Sequence, residues 1–153
     1  MNDGLEWVTA TLTEQALRLA MAAHKGQVDK LGVDYIEHVK AVASAVRHFG
    51  ADYEITALLH DSIEDCQDRS LVSFMIIRNK FGNEIATAID CITKRCGEDY
   101  EKGYLSRVRN NKIAKEVKKA DVQHNLSRID LLDDIEMKER LRAKYSKVIS
   151  GLL

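Results

Sequence analysis

Proline is absent from all 153 residues, and apolar side chains return every three or four positions. Proline breaks helix interiors, so a chain without it can run helix after helix. A spacing of three and four is the mark of a helical face. HVKAVASAVRHFG places Val39, Val42, Val46 and Phe49 on one stripe and ends at Gly50. TLTEQALRLAMAAHKG opens with Thr11 and Glu14, a capping box, and sets Leu12, Ala16, Leu17 and Ala20 near one face before Gly26. ADYEITALLHDSIED is a further helix or a helix with its terminal turn. SLVSFMIIRNKFG runs from Ser70, read as its N-cap, to Gly82, and NEIATAIDCITKRCG repeats the design from Asn83 to Gly97. EDYEKGYLSRVRNN, KIAKEVKKADVQHNLSRI and DDIEMKERLRAKYSKVISGLL continue as amphipathic segments, while GQVDKLGVDYI reads as a loop. ITAL, FMII and DCIT would suit strands as well as helices. The pattern as a whole predicts an all-α, single-domain helical bundle over residues 1–153.

Lys and Arg total 23 against 24 Asp and Glu, a net charge of −1. So balanced a chain has no global field to draw it to nucleic acid. No apolar stretch approaches the length of a membrane span. MNDGLEWV lacks the basic-then-apolar layout of a secretory leader. A cytoplasmic protein is expected, with neither nucleic acid nor membrane as partner; its oligomeric state is left open. Cys66, Cys91 and Cys96 form no disulfide framework and no common zinc spacing, and they read as free thiols.

The apolar segment LLHDSIEDC carries His60, Asp61, Glu64 and Asp65. On a continuous helix these four would lie within about 140° of arc. Such a cluster is either a solvated acidic face or the wall of a cation site. His38, His60, Asp61 and Asp121 together form a mixed nitrogen and oxygen donor set, suited to a divalent first-row metal such as Mn²⁺, Fe²⁺ or Zn²⁺. His60 and Asp61 are adjacent, so they converge on one ion only near a helix end. Asp121, His124 and Asn125 share a helical face at i, i+3 and i+4. His24 and His48 read as ordinary hydrogen-bonded histidines. Lys94, Arg107, Lys118 and Lys119 are cations available either to phosphate or to solvent.

The ordered pieces AAHKGQ (22–27), YIEHV (35–39), ALLHDSIED (57–65), KFG (80–82), ITK (92–94) and VKKADVQHN (117–125) give the chain a family resemblance. It resembles the HD-domain phosphohydrolases and, within them, the hydrolase domain of the RelA/SpoT family, which cleaves the alarmone (p)ppGpp in the stringent response. The resemblance implies an all-α bundle around one divalent metal ion, commonly Mn²⁺. It implies His38, His60, Asp61 and Asp121 as ligands and Glu64 and Asp65 as the catalytic acidic pair. Asn125, Lys30 and Tyr145 are implied as contacts to a small phosphorylated nucleotide. It further implies a compact, hydrolase-only enzyme that releases the 3′-pyrophosphate and leaves GDP or GTP.

One loop departs from the family pattern. Where relatives carry an arginine that packs on guanine, GQVDK has Asp29, followed by Lys30. An acid offers no cation–π stacking. This keeps two other readings open: hydrolysis of another phosphorylated nucleotide, such as NADPH or a nucleoside phosphate, and a non-catalytic, ligand-binding HD module.

Overall fold

The computed structural model describes residues 10–153; MNDGLEWV, the segment read for a leader, lies outside the described residues. The helices are α1 (Leu12–Ala23), α2 (Tyr35–Val46), α3 (Ala51–Leu59), α4 (Ser62–Asp65), α5 (Phe74–Phe81), α6 (Asn83–Ile92), α7 (Ser106–Arg109), α8 (Lys112–Arg128) and α9 (Ile135–Leu152). A π-helix, Tyr100–Leu105, leads into α7. The only pairing of extended backbone among the described residues is one antiparallel bridge, Val28 to Asp34, which closes the loop before α2. The expected all-α architecture is thus the one observed; ITAL and FMII lie in helices, and DCIT ends α6 with Thr93 as its C-cap.

Local signals explain most boundaries. Thr11 and Glu14 exchange the two bonds of the capping box, at 2.9 and 3.1 Å. α5 starts one turn later than the sequence suggested. Ser70 folds back on Asp68 in a tight turn, and Ser73 caps the helix by accepting from the Ile76 amide. Asn83 is likewise the first residue of α6 rather than its cap. Gly82, at φ 94°, ends α5 and begins α6 at once, a backbone state that favours glycine. The π-helix owes its cap to Asp99, whose carboxylate accepts from the Lys102 amide.

α3 is the hub. It packs against α1, α2, α6 and α8, and Ile55, Thr56, Ala57, Leu58 and Leu59 are all buried. A helix surrounded on every side carries apolar residues all round, which is why its amphipathic signal is weak. The consequence for function is direct. The residue that follows, His60, lies at the centre of the protein and is 2% exposed. α2 contributes His38 from the same buried stripe as Val39, Val42 and Val46. α8 contributes Asp121, one turn after buried Val117.

Candidate metal centre and adjoining cleft

The main axis of LLHDSIEDC is broken rather than continuous. α3 stops at Leu59, His60 and Asp61 form a turn, and α4 begins at Ser62. Adjacent side chains on an ideal helix diverge; at this break they meet, with His60 Nε2 3.0 Å from Asp61 Oδ2. His60 Nδ1 lies 2.6 Å from the Ala57 carbonyl, so the proton sits on Nδ1 and the Nε2 lone pair faces inward.

His38, His60 and Asp121 converge, with one ligand atom from each lying within 4.8 Å of the others. His38 Nε2 is 3.1 Å from Asp121 Oδ1, and His60 Nε2 is 3.9 Å from the same oxygen. His60 Nε2 is buried and has no hydrogen-bond partner despite its short approach to Asp61. Donor atoms crowded around one point, one of them buried and unpartnered, are arranged for a shared cation. The residues therefore fit a divalent ion: two imidazole nitrogens and a carboxylate on rigid elements. Asp61 stands beside this set, because its Oδ2 accepts a 2.5 Å bond from the Tyr35 hydroxyl. Tyr35 is visible in the sequence only as the first residue of the YIEHV piece, one turn before His38, with no role assigned to it.

The electrostatics agree with a site built for positive charge. Burial opposes ionisation of Asp121, but the Lys118 ammonium, 2.8 Å from its Oδ2, and the nearby imidazoles hold its carboxyl well below the usual range. Burial likewise opposes the Asp61 carboxylate, and His60 overrides it, holding Asp61 at about 2. For His60, burial works against the imidazolium, yet Asp61 and Asp121 lift it to about 9, so these carboxylates favour a positive charge at Nε2, whether a proton or a cation that takes its place. Asn125 donates to Asp121 Oδ1 at 3.1 Å, and His124 Nδ1 meets His38 Nδ1 at 2.7 Å, so His124 and Asn125 both serve the cluster from the face of α8.

Glu64 and Asp65 project from α4 at the rim. Each is tied by one long-range bond: Glu64 accepts from the Lys94 amide at 2.6 Å, and Asp65 from the Gln27 side chain at 3.0 Å. Partial burial raises both carboxyl pKa values, with the Asp61 charge adding to the effect. Burial is the larger of the two causes.

A cavity of about 320 Å³ opens beside the cluster. Its lining includes His38 together with Lys30, Asn125 and Tyr145, the three residues expected to touch a nucleotide. Asp29 is also there, and its role is structural. Its Oδ1 accepts from the amides of Leu31 and Val33, and its Oδ2 pairs with Arg128 at 2.5 Å. The acid that replaces the family's arginine thus fastens the loop to α8 and brings a guanidinium into the cavity wall. The other cations sort differently from the sequence list. Arg107 is engaged by Glu98 and by the carbonyls of Asp90 and Thr93, and Lys119 by Glu116. Lys118 alone of the four touches the cluster.

The sequence profile of the HD domain family matches residues 16–124. The chain belongs to the HD domain family. Its similarity extends to longer proteins of known type. It is 30% identical over 148 residues to a probable guanosine-3′,5′-bis(diphosphate) 3′-pyrophosphohydrolase of Synechocystis, a match that covers 88% of this chain and 19% of that relative. It is 27% identical to a probable GTP pyrophosphokinase of Mycobacterium leprae, over 93% of this chain and 19% of that protein. A guanosine-3′,5′-bis(diphosphate) 3′-pyrophosphohydrolase of Vibrio cholerae is 37% identical over 82 residues, covering 52% of this chain and 11% of that relative. The chain thus spans a fifth or less of the curated relatives named here. Among solved structures, a metazoan orthologue of SpoT that hydrolyses ppGpp superposes at a TM-score of 0.79 with 20% identity, covering 94% of this chain and 86% of that one. That likeness is one of fold. No helix among the described residues is long and apolar enough to cross a membrane.

Proposed function

We propose that this HD domain hydrolyses the 3′-pyrophosphate of (p)ppGpp, giving GDP or GTP and pyrophosphate, as a single domain over residues 1–153 working in the cytoplasm. One observation carries the reading: a single cavity is lined by Lys30, Asn125 and Tyr145 and by His38 of the ligand cluster. The expected nucleotide contacts and one of the metal-type donors, His38, therefore face one volume.

His38, His60 and Asp121, with Asp61 alongside, would hold one divalent ion, for which we propose Mn²⁺. Such an ion supplies Lewis-acid polarisation of a phosphoryl oxygen and lowers the pKa of a water molecule. Glu64 and Asp65 orient the attacking water and accept its proton; their raised pKa values bring them nearer to neutral pH, where a general base is most effective. Lys30, Asn125 and Tyr145 hold the nucleotide so that its 3′-phosphorus faces the cluster. Lys118 keeps the Asp121 carboxylate charged and in place. The relatives named for ppGpp hydrolysis support this substrate. So does the Asp29–Arg128 pair, since Asp29 was the motive for considering NADPH or another nucleotide. With its charge matched by Arg128, it is not a bare anion in the cavity.

The test is turnover of ppGpp, pppGpp, NADPH and a nucleotide panel, with Mn²⁺ and after chelation. Pyrophosphate release from ppGpp, lost in Asp61→Ala, is expected. His60→Ala should lose the metal. Glu64→Gln should keep it and lose rate by about 10²–10⁴-fold. Rapid turnover of another nucleotide with ppGpp untouched would overturn the substrate. Stoichiometric metal without any turnover would leave a binding module instead.

A further inference from the structure

His24 reads in the sequence as an ordinary histidine and Gln27 as part of a loop, yet both sit behind Asp65 of the acidic pair. His24 caps the C-terminus of α1 and is 3% exposed. Its Nδ1 lies 2.8 Å from Gln27 Oε1, and Gln27 Nε2 donates to Asp65 Oδ2 at 3.0 Å. Direct contact between His24 and Asp65 is too long for a hydrogen bond, at 3.8 Å, so Gln27 is the link.

The chemistry of the three groups fixes the direction of the chain. An ionised carboxylate only accepts, so the amide must turn its NH₂ to Asp65. Its oxygen then faces His24, which must donate from Nδ1. That tautomer leaves the His24 Nε2 lone pair pointing into the protein, where it is buried and has no partner. A histidine chosen only to fill space beside Tyr35 gains nothing from this arrangement, since an apolar side chain would avoid the unpaired nitrogen. The arrangement does give Asp65 a donor of fixed orientation. α4 is only four residues long and Asp65 is its last, with a side chain 30% exposed. Left untied, that carboxylate could take several rotamers.

We propose that His24 and Gln27 are positioning residues for Asp65, the buried imidazole setting the orientation of the Gln27 amide and the amide holding one carboxylate oxygen at the rim of the ligand cluster. The proposal rests on the reading that Asp65 serves hydrolysis, and it gives that carboxylate the counterpart of Glu64's anchor on the Lys94 amide.

Two measurements test it. The first is kinetic, on the substrate that the wild-type protein turns over. Gln27→Leu and His24→Leu should lower kcat by about 10–100-fold, the scale of a misplaced catalytic group, with KM changed by less than about threefold. His24→Asn retains an N–H donor near the position of Nδ1 and should recover most of the rate. If His24→Asn is no better than His24→Leu, or if Gln27→Leu keeps wild-type kcat while its melting temperature falls, the two residues only pin the loop and the proposal fails. The second measurement needs no turnover. In ¹H–¹⁵N spectra the Gln27 side-chain amide should shift in both His24→Leu and Asp65→Asn. An amide unmoved by either change refutes the relay whatever the substrate is. A wild-type protein inert toward every nucleotide, with the amide shifts present, refutes the hydrolase reading and leaves the relay standing.

Discussion

Replacing Asp29 should loosen the cavity wall by an amount that can be divided between its contacts. The carboxylate accepts from two backbone amides, at 2.8 and 3.0 Å, and pairs with Arg128 across 99 positions of sequence. Both side chains of the pair are largely covered, at 14% and 23% exposed. Each amide bond contributes about 1 kcal/mol, and an ion pair of this exposure about 1 kcal/mol more. Asp29→Ala should therefore cost about 3 kcal/mol, lowering Tm by about 6–12 °C for a chain of this size. Asp29→Asn keeps an oxygen for the amides and should cost only about 1 kcal/mol, or about 2–4 °C. Urea unfolding of Asp29→Asn, Arg128→Met and the double variant measures the pair directly, with an expected coupling of about 1 kcal/mol. The pH dependence has a definite sign. Burial pushes the Asp29 carboxyl up, but Arg128 and the amides of Val33 and Leu31 outweigh it and hold it below its ordinary 3.8. A depressed carboxyl stabilises the fold fully above its unfolded value and loses that contribution as pH falls through the lower, folded value. The gap between wild type and Asp29→Asn should be constant above about pH 5 and shrink below about pH 4. Equal losses in the Ala and Asn variants, or a coupling indistinguishable from zero, would refute the latch.

Three further outcomes are expected. Tyr35→Phe removes the hydroxyl that holds Asp61 and should weaken divalent-metal affinity by about tenfold, read by calorimetric titration. Glu98, bound in bidentate fashion by Arg107, has its carboxyl held at about 2, chiefly by that bond; its stabilisation should be present above the ordinary glutamate value and fade as pH falls toward 2, and Glu98→Gln should flatten the acid limb of a Tm-against-pH curve. Leu59→Ala empties a fully buried position at the hub helix and should cost about 2–5 kcal/mol in denaturant unfolding.

Some of the site was legible because its residues mark local structure. The valines of α2 announce a buried face, and His38 falls one residue before Val39 on it. The i, i+4 pair Asp121 and Asn125 predicts a shared helical face, and the two are in fact bonded. Ser70 and Asn83 misled as caps because Ser and Asn favour turns as well as helix starts. Arg107 misled because a surface-like arginine has the same local pattern whether it faces phosphate or, as here, a glutamate nine positions away.

By itself the sequence determined the helical class, some of the helix ends and the inventory of donors and acids. Those follow from side-chain periodicity and capping, which act over three or four residues. The tertiary structure decided what no such window contains. It broke the helix between α3 and α4 so that His60 and Asp61 could meet. It drew Asp121 to His38 from 83 positions away. It turned Asp29 from a misplaced acid into the partner of Arg128, and it put Gln27 between His24 and Asp65. Each of these depends on which helices pack around α3, and packing is settled by the burial of the whole apolar surface rather than by any one segment.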